Sequence, residues 1–229
     1  MPGDHSQRSL VPATVHGSYW YRPADSGRPA PTLVGFHGYG ESAEQHLREI
    51  TLIPGITAWN LVAIQALHPF YNSRTGDVVA SWMTKLDRDE AIADNVRYVT
   101  SVLDRVLDPG SAGDAPVVFI GFSQGTAMAY RTAALSGHHC HGIVALGGDV
   151  PPELTDGALA QLPVALIGLG SEDEWYTEAK LARDLEILES QGVDCRPVRY
   201  RGAHEWTDEF RALVGRFLEG LCGRSRGRP

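Results

Sequence analysis

The chain is expected to fold as one α/β domain, a mostly parallel central sheet covered by helices on both faces. Three observations carry that expectation. Apolar runs of strand length alternate with helix-length segments from residue 32 to residue 218. The stretch Arg88 to Leu107 places Ile92, Val96, Val99, Leu103 and Val106 at spacings of four, three, four and three, the stripe of an amphipathic helix. The run Pro116 to Phe122 then leads into Gly121-Phe122-Ser123-Gln124-Gly125, followed by the helix-like Gln124 to Leu135. Strands separated by helices of this length need crossover connections, and crossovers make strands parallel.

The elements follow in order. Val15 to Tyr21 is an early strand, and Thr32 to Phe36 is continuously apolar as an interior strand requires. Glu41 to Ile53 reads as helix, Asn60 to Ala66 as strand, and Leu67 to Leu86 as a loop-rich stretch. Beyond the amphipathic helix come the strand Ala115 to Ile120, the helix Gln124 to Leu135, and strands at Gly142 to Leu146, Val164 to Leu169 and Asp194 to Tyr200. Helices from about Tyr176 to Ser190 and from about Glu205 to Leu218 complete the pattern. The domain is expected over residues 13–219, between a flexible tail at 1–12 and a basic tail at 220–229.

Length and composition bound the function. A chain of 229 residues, 43% hydrophobic and 21% charged, has the makeup of one globular domain. No apolar run approaches the length of a membrane span, and residues 1–12 carry no signal-like core, so a cytoplasmic protein is expected. A net charge of −8 argues against nonspecific nucleic-acid binding, which depends on neutralising phosphates. The three cysteines, Cys140, Cys195 and Cys222, show no metal or disulfide spacing. Cys140 and Cys195 are expected to be buried, and Cys222 lies in the tail. The sequence leaves a homodimer open.

Gly-x-Ser-x-Gly alone is weak in a glycine-rich chain; its place between an apolar strand and a helix gives it meaning. Such a turn lifts a serine hydroxyl above the sheet, and only small flanking residues let strand and helix approach. In parallel sheets ligands bind outside the carboxyl ends of the strands. Ser123, Gly38 to Glu41, Gly170 to Glu174 and Arg201 to Glu205 all follow strand ends on that side.

A serine nucleophile needs a base. His204 sits in the loop between the last strand and the last helix, after Gly202-Ala203. His5 lies in the tail, His16 in an edge strand, and His138, His139 and His141 fall on the opposite side of the sheet; His46 and His68 stay open as pocket residues. The base in turn needs a carboxylate to fix its tautomer. Asp173 suits the serine, acid, histidine order of this architecture, with Glu172 and Glu174 as rivals. Oxyanion stabilisation would come from the backbone amide of Gln124 at a helix start and from His37-Gly38-Tyr39-Gly40, through the Tyr39 amide. In that turn His37 is expected to brace the loop.

The segments F-H-G-Y-G at 36–40, S-W at 81–82, G-F-S-Q-G-T-A-M-A at 121–129, G-S-E-D at 170–173 and G-A-H-E-W at 202–206 resemble the α/β-hydrolase superfamily. Within it they are similar to the phospholipase/carboxylesterase family, which includes the acyl-protein thioesterase-like esterases. The resemblance spans nearly the whole chain. It implies a compact serine esterase without a large lid, using Ser123, Asp173 and His204, the Tyr39 and Gln124 amides, and no metal or cofactor. It implies a small-molecule ester substrate, with acyl thioesters and lysophospholipids as alternatives, and acyl transfer or noncatalytic binding behind them. Two departures stand out: Tyr39 and Glu41 replace the aliphatic residue and aspartate of H-G-x-G-D, and Glu174-Trp175-Tyr176-Thr177 replaces x-x-V-P. Tyr39, Phe70, Tyr71, Trp82, Trp175 and Trp206 are therefore expected to line and shorten the substrate pocket, favouring a small or aromatic ester.

Overall fold

The computed structural model describes residues 6–25, 29–107, 115–155 and 157–225, with side chains through residue 223. Seven strands form the central sheet: β1 (Tyr19–Arg22), β2 (Thr32–Phe36), β3 (Asn60–Ile64), β6 (Val117–Phe122), β7 (Gly142–Leu146), β8 (Val164–Gly170) and β9 (Asp194–Tyr200), in the spatial order β1-β3-β2-β6-β7-β8-β9. Every pairing is parallel except the edge pair of β1 with β3. The helices are α1 (Ala43–Thr51), α2 (Arg88–Val106), α3 (Gln124–Leu135), α4 (Glu178–Ser190) and α5 (Asp208–Ser225).

Burial on both faces explains why the interior strands β2, β6, β7 and β8 read as unbroken apolar runs. Along β6, Phe119 joins one core while Val118, Ile120 and Phe122 join the other; along β7, Ile143 and Ala145 alternate in the same way with Val144 and Leu146. The first core is closed by α2, α3 and α4 through residues such as Leu103, Met128 and Leu181. The second is closed by α1 and α5, through Ile50, Phe210, Val214 and Phe217. The expected stripe on α2 holds, with Val99 and Leu103 buried and Ile92, Val96 and Val106 packed at its margin. Helix α1 begins with a reciprocal capping box, in which the Ser42 hydroxyl accepts from the Gln45 amide and the Gln45 side chain accepts from the Ser42 amide.

Four expectations change. The stretch read as loop after Leu67 contains an antiparallel hairpin, β4 (His68–Tyr71) with β5 (Val78–Ser81). Its strand β4 carries Pro69 and is exposed at all but Phe70, so it gives neither the alternation nor the composition of a core strand. The first strand begins at Tyr19 rather than Val15, and residues 15–18 are exposed. The last helix runs to Ser225, past the expected boundary at 219, because Leu221 still packs into the second core with Cys222 against it. Cys195 is half-buried, whereas Cys140 is buried. Residues 1–5, with His5, and residues 226–229 of the expected tails lie outside the described residues. Among the described residues no helix is long and apolar enough to cross a membrane.

Candidate active site

Five loops leave the carboxyl ends of β2, β6, β7, β8 and β9 and meet above the sheet. The strand β6 ends at Phe122, and α3 begins at Gln124, so Ser123 alone makes the reversal. It does so at φ 52° and ψ −119°, a backbone conformation that costs a non-glycine residue on the order of 1–3 kcal/mol. Packing around it permits nothing looser. A Cβ on Gly121 would lie 2.4 Å from the Gly125 carbonyl oxygen, and one on Gly125 would lie 2.0 Å from that of Phe36. The Ser123 amide donates to Leu146 O at 2.8 Å, and the Thr126 hydroxyl donates to Gly121 O at 3.0 Å, tying the turn to β7 and β6.

The acid and the histidine come from neighbouring strands whose loops are locked together. The Ser171 amide donates to Tyr200 O at 2.9 Å and the Glu172 amide to Gly202 O at 2.8 Å. The Tyr200 hydroxyl donates to Glu205 O at 3.0 Å. A side chain on Gly170 would meet the Ala203 carbonyl oxygen at 2.3 Å, so glycine is required where the loops cross. Within this frame Asp173 Oδ1 accepts from the amides of Trp175 and Tyr176 at 2.8 and 2.9 Å, while Oδ2 lies 2.8 Å from His204 Nδ1. An ionised carboxylate only accepts, so Nδ1 carries the proton and Nε2 is left with its lone pair. The Asp173 side chain has no solvent exposure and that of His204 is 21% exposed, whereas Glu172 and Glu174 are exposed. Phe122 packs on the His204 ring at 5.0 Å between centroids.

Ser123 and His204 line one cavity of about 290 Å³, with Gln124, Gly147, Gly148 and Trp175. Gly147 and Gly148 at the end of β7 are the residues that sequence reasoning missed. A Cβ on Gly147 would press on the His204 ring at 3.0 Å, and one on Gly148 would lie 2.3 Å from Ser123 O. A glycine pair directly after an apolar strand was the available signal.

The loop after β2 is held from three sides. His37 is buried; its Nδ1–H donates to Gly38 O at 2.7 Å, and its Nε2 accepts from the Ala66 amide at 3.1 Å. Burial pushes this imidazole down to about 4, so it stays neutral and structural. The Trp82 indole N–H donates to His37 O at 2.8 Å. The Gln124 side chain accepts from the Trp82 amide at 2.9 Å and donates to Met83 O at 2.8 Å, joining this segment to the serine turn. Glu41, half-buried, accepts from the Gly38 amide at 2.7 Å; burial raises its carboxyl above the usual range, and that amide opposes the rise.

The expected pocket rings separate. Trp175 lines the cavity and is 74% exposed. Trp82 has no exposure and packs on Phe36 and His37, so it braces the loop from within the core and cannot form a groove wall. Trp206 packs between Phe122, His46 and Phe210. Tyr39 stacks on Phe70 at 5.3 Å, with Tyr71 exposed beside them; these three lie off the cavity wall. The competing histidines also disperse. His46 is buried under Trp206, His68 and His16 are exposed, and His141 accepts from the Val117 amide at the far end of β6.

Comparison with solved structures returns the same architecture. The esterase PE8 structure is 24% identical, covering 90% of this chain and 100% of its own, with a TM-score of 0.69. A Bacillus cereus carboxylesterase is 14% identical at a TM-score of 0.70, over 90% of this chain and 94% of its own. The Zea mays acyl-protein thioesterase 2 is 17% identical at 0.69, over 90% and 99%. No curated protein sequence matches. The model of the phospholipase/carboxylesterase family matches residues 24–220, which holds every loop of the site, and the chain belongs to that ester-hydrolysing family.

Proposed function

We infer that the protein is a serine carboxylesterase that hydrolyses small carboxylic esters through an acyl-enzyme. The observation that carries this reading is the shared cavity, where Ser123 stands in a strained turn beside a histidine oriented by a buried carboxylate. In the proposed cycle His204 Nε2 takes the Ser123 hydroxyl proton as Oγ attacks the ester carbonyl carbon. The oxyanion that forms is held by two backbone donors. One is the Gln124 amide, among the first N–H groups of α3, which have no partner within the helix and sit at the positive end of its dipole. The other is the Tyr39 amide. Its neighbours Gly38 and Gly40 are engaged by Glu41 and by Ala80 O, which leaves Tyr39 as the donor this loop can present. The tetrahedral carbon then expels the alcohol, which leaves with the proton from His204. Water repeats the attack and releases the acid. The cycle draws on no metal or cofactor.

A cavity of about 290 Å³ lies at the lower end of the range for small-molecule sites, which supports a short acyl group. Hydrolysis of p-nitrophenyl esters from acetate to palmitate tests the reading. The expected profile peaks at short chains and disappears in Ser123→Ala. A profile rising toward palmitate contradicts the short site, and equal rates in the two proteins contradict the serine mechanism.

A further inference from the structure

The protein carries a net charge of −8, yet its candidate cavity is lined by three cationic side chains, Arg88, Arg131 and Lys180, against one carboxylate, Asp149. Lys180 and Asp149 neutralise each other at 3.1 Å. The two arginines are the unusual pair. Arg131 comes from α3, two turns after Ser123, and its side chain is 1% exposed. Its Nε donates to Glu153 at 2.7 Å, and its NH2 lies 2.6 Å from the same oxygen. Its NH1 group points to the Met83 sulfur at 3.5 Å, a weak acceptor for a buried cation. Arg88, half-buried at the start of α2, meets the same sulfur through its own NH1 at 3.5 Å. Two guanidinium groups thus converge on one methionine and share the field of one carboxylate, Glu153.

That arrangement sets two guanidinium groups against the single carboxylate of Glu153. Burial lowers the Arg131 pKa, Glu153 opposes the shift, and Arg88 adds to it by repulsion. An oxyanion placed between the two NH1 groups would replace a weak sulfur contact with charge-assisted hydrogen bonds and relieve the repulsion. Guanidinium groups suit a planar carboxylate in particular.

We propose that Arg88 and Arg131 form a carboxylate subsite within the candidate cavity, so that the preferred substrates are short esters bearing a free carboxylate, such as half-esters of dicarboxylic acids. The inference deepens the esterase reading and rests on it for turnover. The carboxylate does not react; held by the arginines, it anchors the far end of the acyl chain while the ester carbonyl lies at Ser123. A neutral chain of the same length would leave the two NH1 groups on the Met83 sulfur alone, with Glu153 still holding only the Nε and NH2 side of Arg131.

Two measurements separate the subsite from the chemistry. The first compares kcat/KM for monoethyl and diethyl glutarate by pH-stat, in the native protein and in Arg88→Gln. Hydrogen bonds to a charged group contribute about 1.5–3 kcal/mol, so the monoester should be favoured by roughly tenfold to a hundredfold, and Arg88→Gln should remove most of that ratio. The second titrates glutarate into Ser123→Ala by calorimetry, with and without Arg88→Gln. Binding weakened tenfold or more by the arginine change supports the subsite even if no ester turns over, a result that would sink the esterase reading alone. Turnover of both esters without preference, or glutarate binding that is absent or insensitive to Arg88→Gln, overturns the subsite and leaves the esterase reading standing.

Discussion

Gly125→Ala should inactivate the protein more than it unfolds it. A Cβ at this position would lie 2.0 Å from the Phe36 carbonyl oxygen, 2.5 Å from its carbon and 2.6 Å from the His37 carbonyl oxygen. All three are backbone atoms, so no side chain can swing aside. Real Cβ contacts stay beyond 3.0 Å, and α3 must therefore retreat by about 1 Å from the end of β2. That retreat separates Ser123 and the Gln124 amide from the loop at His37 to Gly40. Overpacking of this kind costs about 1–3 kcal/mol of stability, which a domain of this size can survive, while a 1 Å error in catalytic geometry costs on the order of 10²-fold in rate. The assay pairs urea unfolding with kcat/KM on p-nitrophenyl acetate. Gly220→Ala serves as the control: its Cβ meets nothing within 4 Å at an exposed position of helix α5, and alanine should stabilise the protein by about 0.5–1 kcal/mol with activity unchanged. Activity of Gly125→Ala within threefold of native would refute the claim that helix and oxyanion loop are held in fixed register.

Other perturbations probe different parts of the account. Asp173→Asn should leave the fold intact, because its amide oxygen still accepts from Trp175 and Tyr176, yet reduce kcat roughly 10³- to 10⁴-fold by favouring the wrong His204 tautomer. Retention of a tenth of native activity would dismiss Asp173 as the orienting group. Trp175→Ala should change stability by less than about 0.5 kcal/mol, since the ring is 74% exposed, but raise KM for aromatic esters; an unaltered KM would remove Trp175 from the site. Stability should fall as pH drops from about 6.5 to 4. His37 and His46 are held neutral, at about 4 and about 3, against 6.5 when unfolded, so the unfolded chain takes up protons that the folded chain refuses. Asp184, raised by burial to about 6 from 3.8, works in the opposite sense over part of that window. Two histidines against Asp184 leave an excess of about one proton, or ~1.4 kcal/mol per pH unit, which the raised carboxyl of Glu41 reduces toward the acid end of the window. A urea midpoint at pH 5 equal to or above that at pH 7.5 would contradict this.

Legibility followed burial and backbone chemistry. Strands β2 and β7 and helix α3 stand where the sequence placed them, because two-sided burial gives continuous apolar runs and α3 starts at a residue fixed by the serine turn; the edge strand β9 also stands at its expected bounds, although only Tyr200 in it is buried. The β4–β5 hairpin was hidden since Pro69 and exposed Tyr71 interrupt any alternation, and its pairing joins residues seven to thirteen apart. At the site, the resemblance singled out Asp173 from Glu172 and Glu174, whereas the residues alone left the three open, because burial is what separates them and local sequence does not report it. The pocket rings were the least readable. Trp82 and Trp175 have the same side chain, and only tertiary packing decides that the first holds His37 from inside while the second faces the cavity. Arg131 shows the same limit, for nothing in the α3 sequence signals that its charge turns inward to the cavity rather than out to solvent.

The central claim is that Ser123 is a nucleophile activated by His204, and covalent labelling tests it most directly. Native protein, Ser123→Ala and His204→Ala would be treated with a fluorophosphonate and the adduct located by peptide mass spectrometry. The account predicts stoichiometric modification of Ser123 in the native protein, none in Ser123→Ala, and labelling slowed by at least about 10³-fold in His204→Ala. An unlabelled Ser123, or labelling at the native rate without His204, would contradict it.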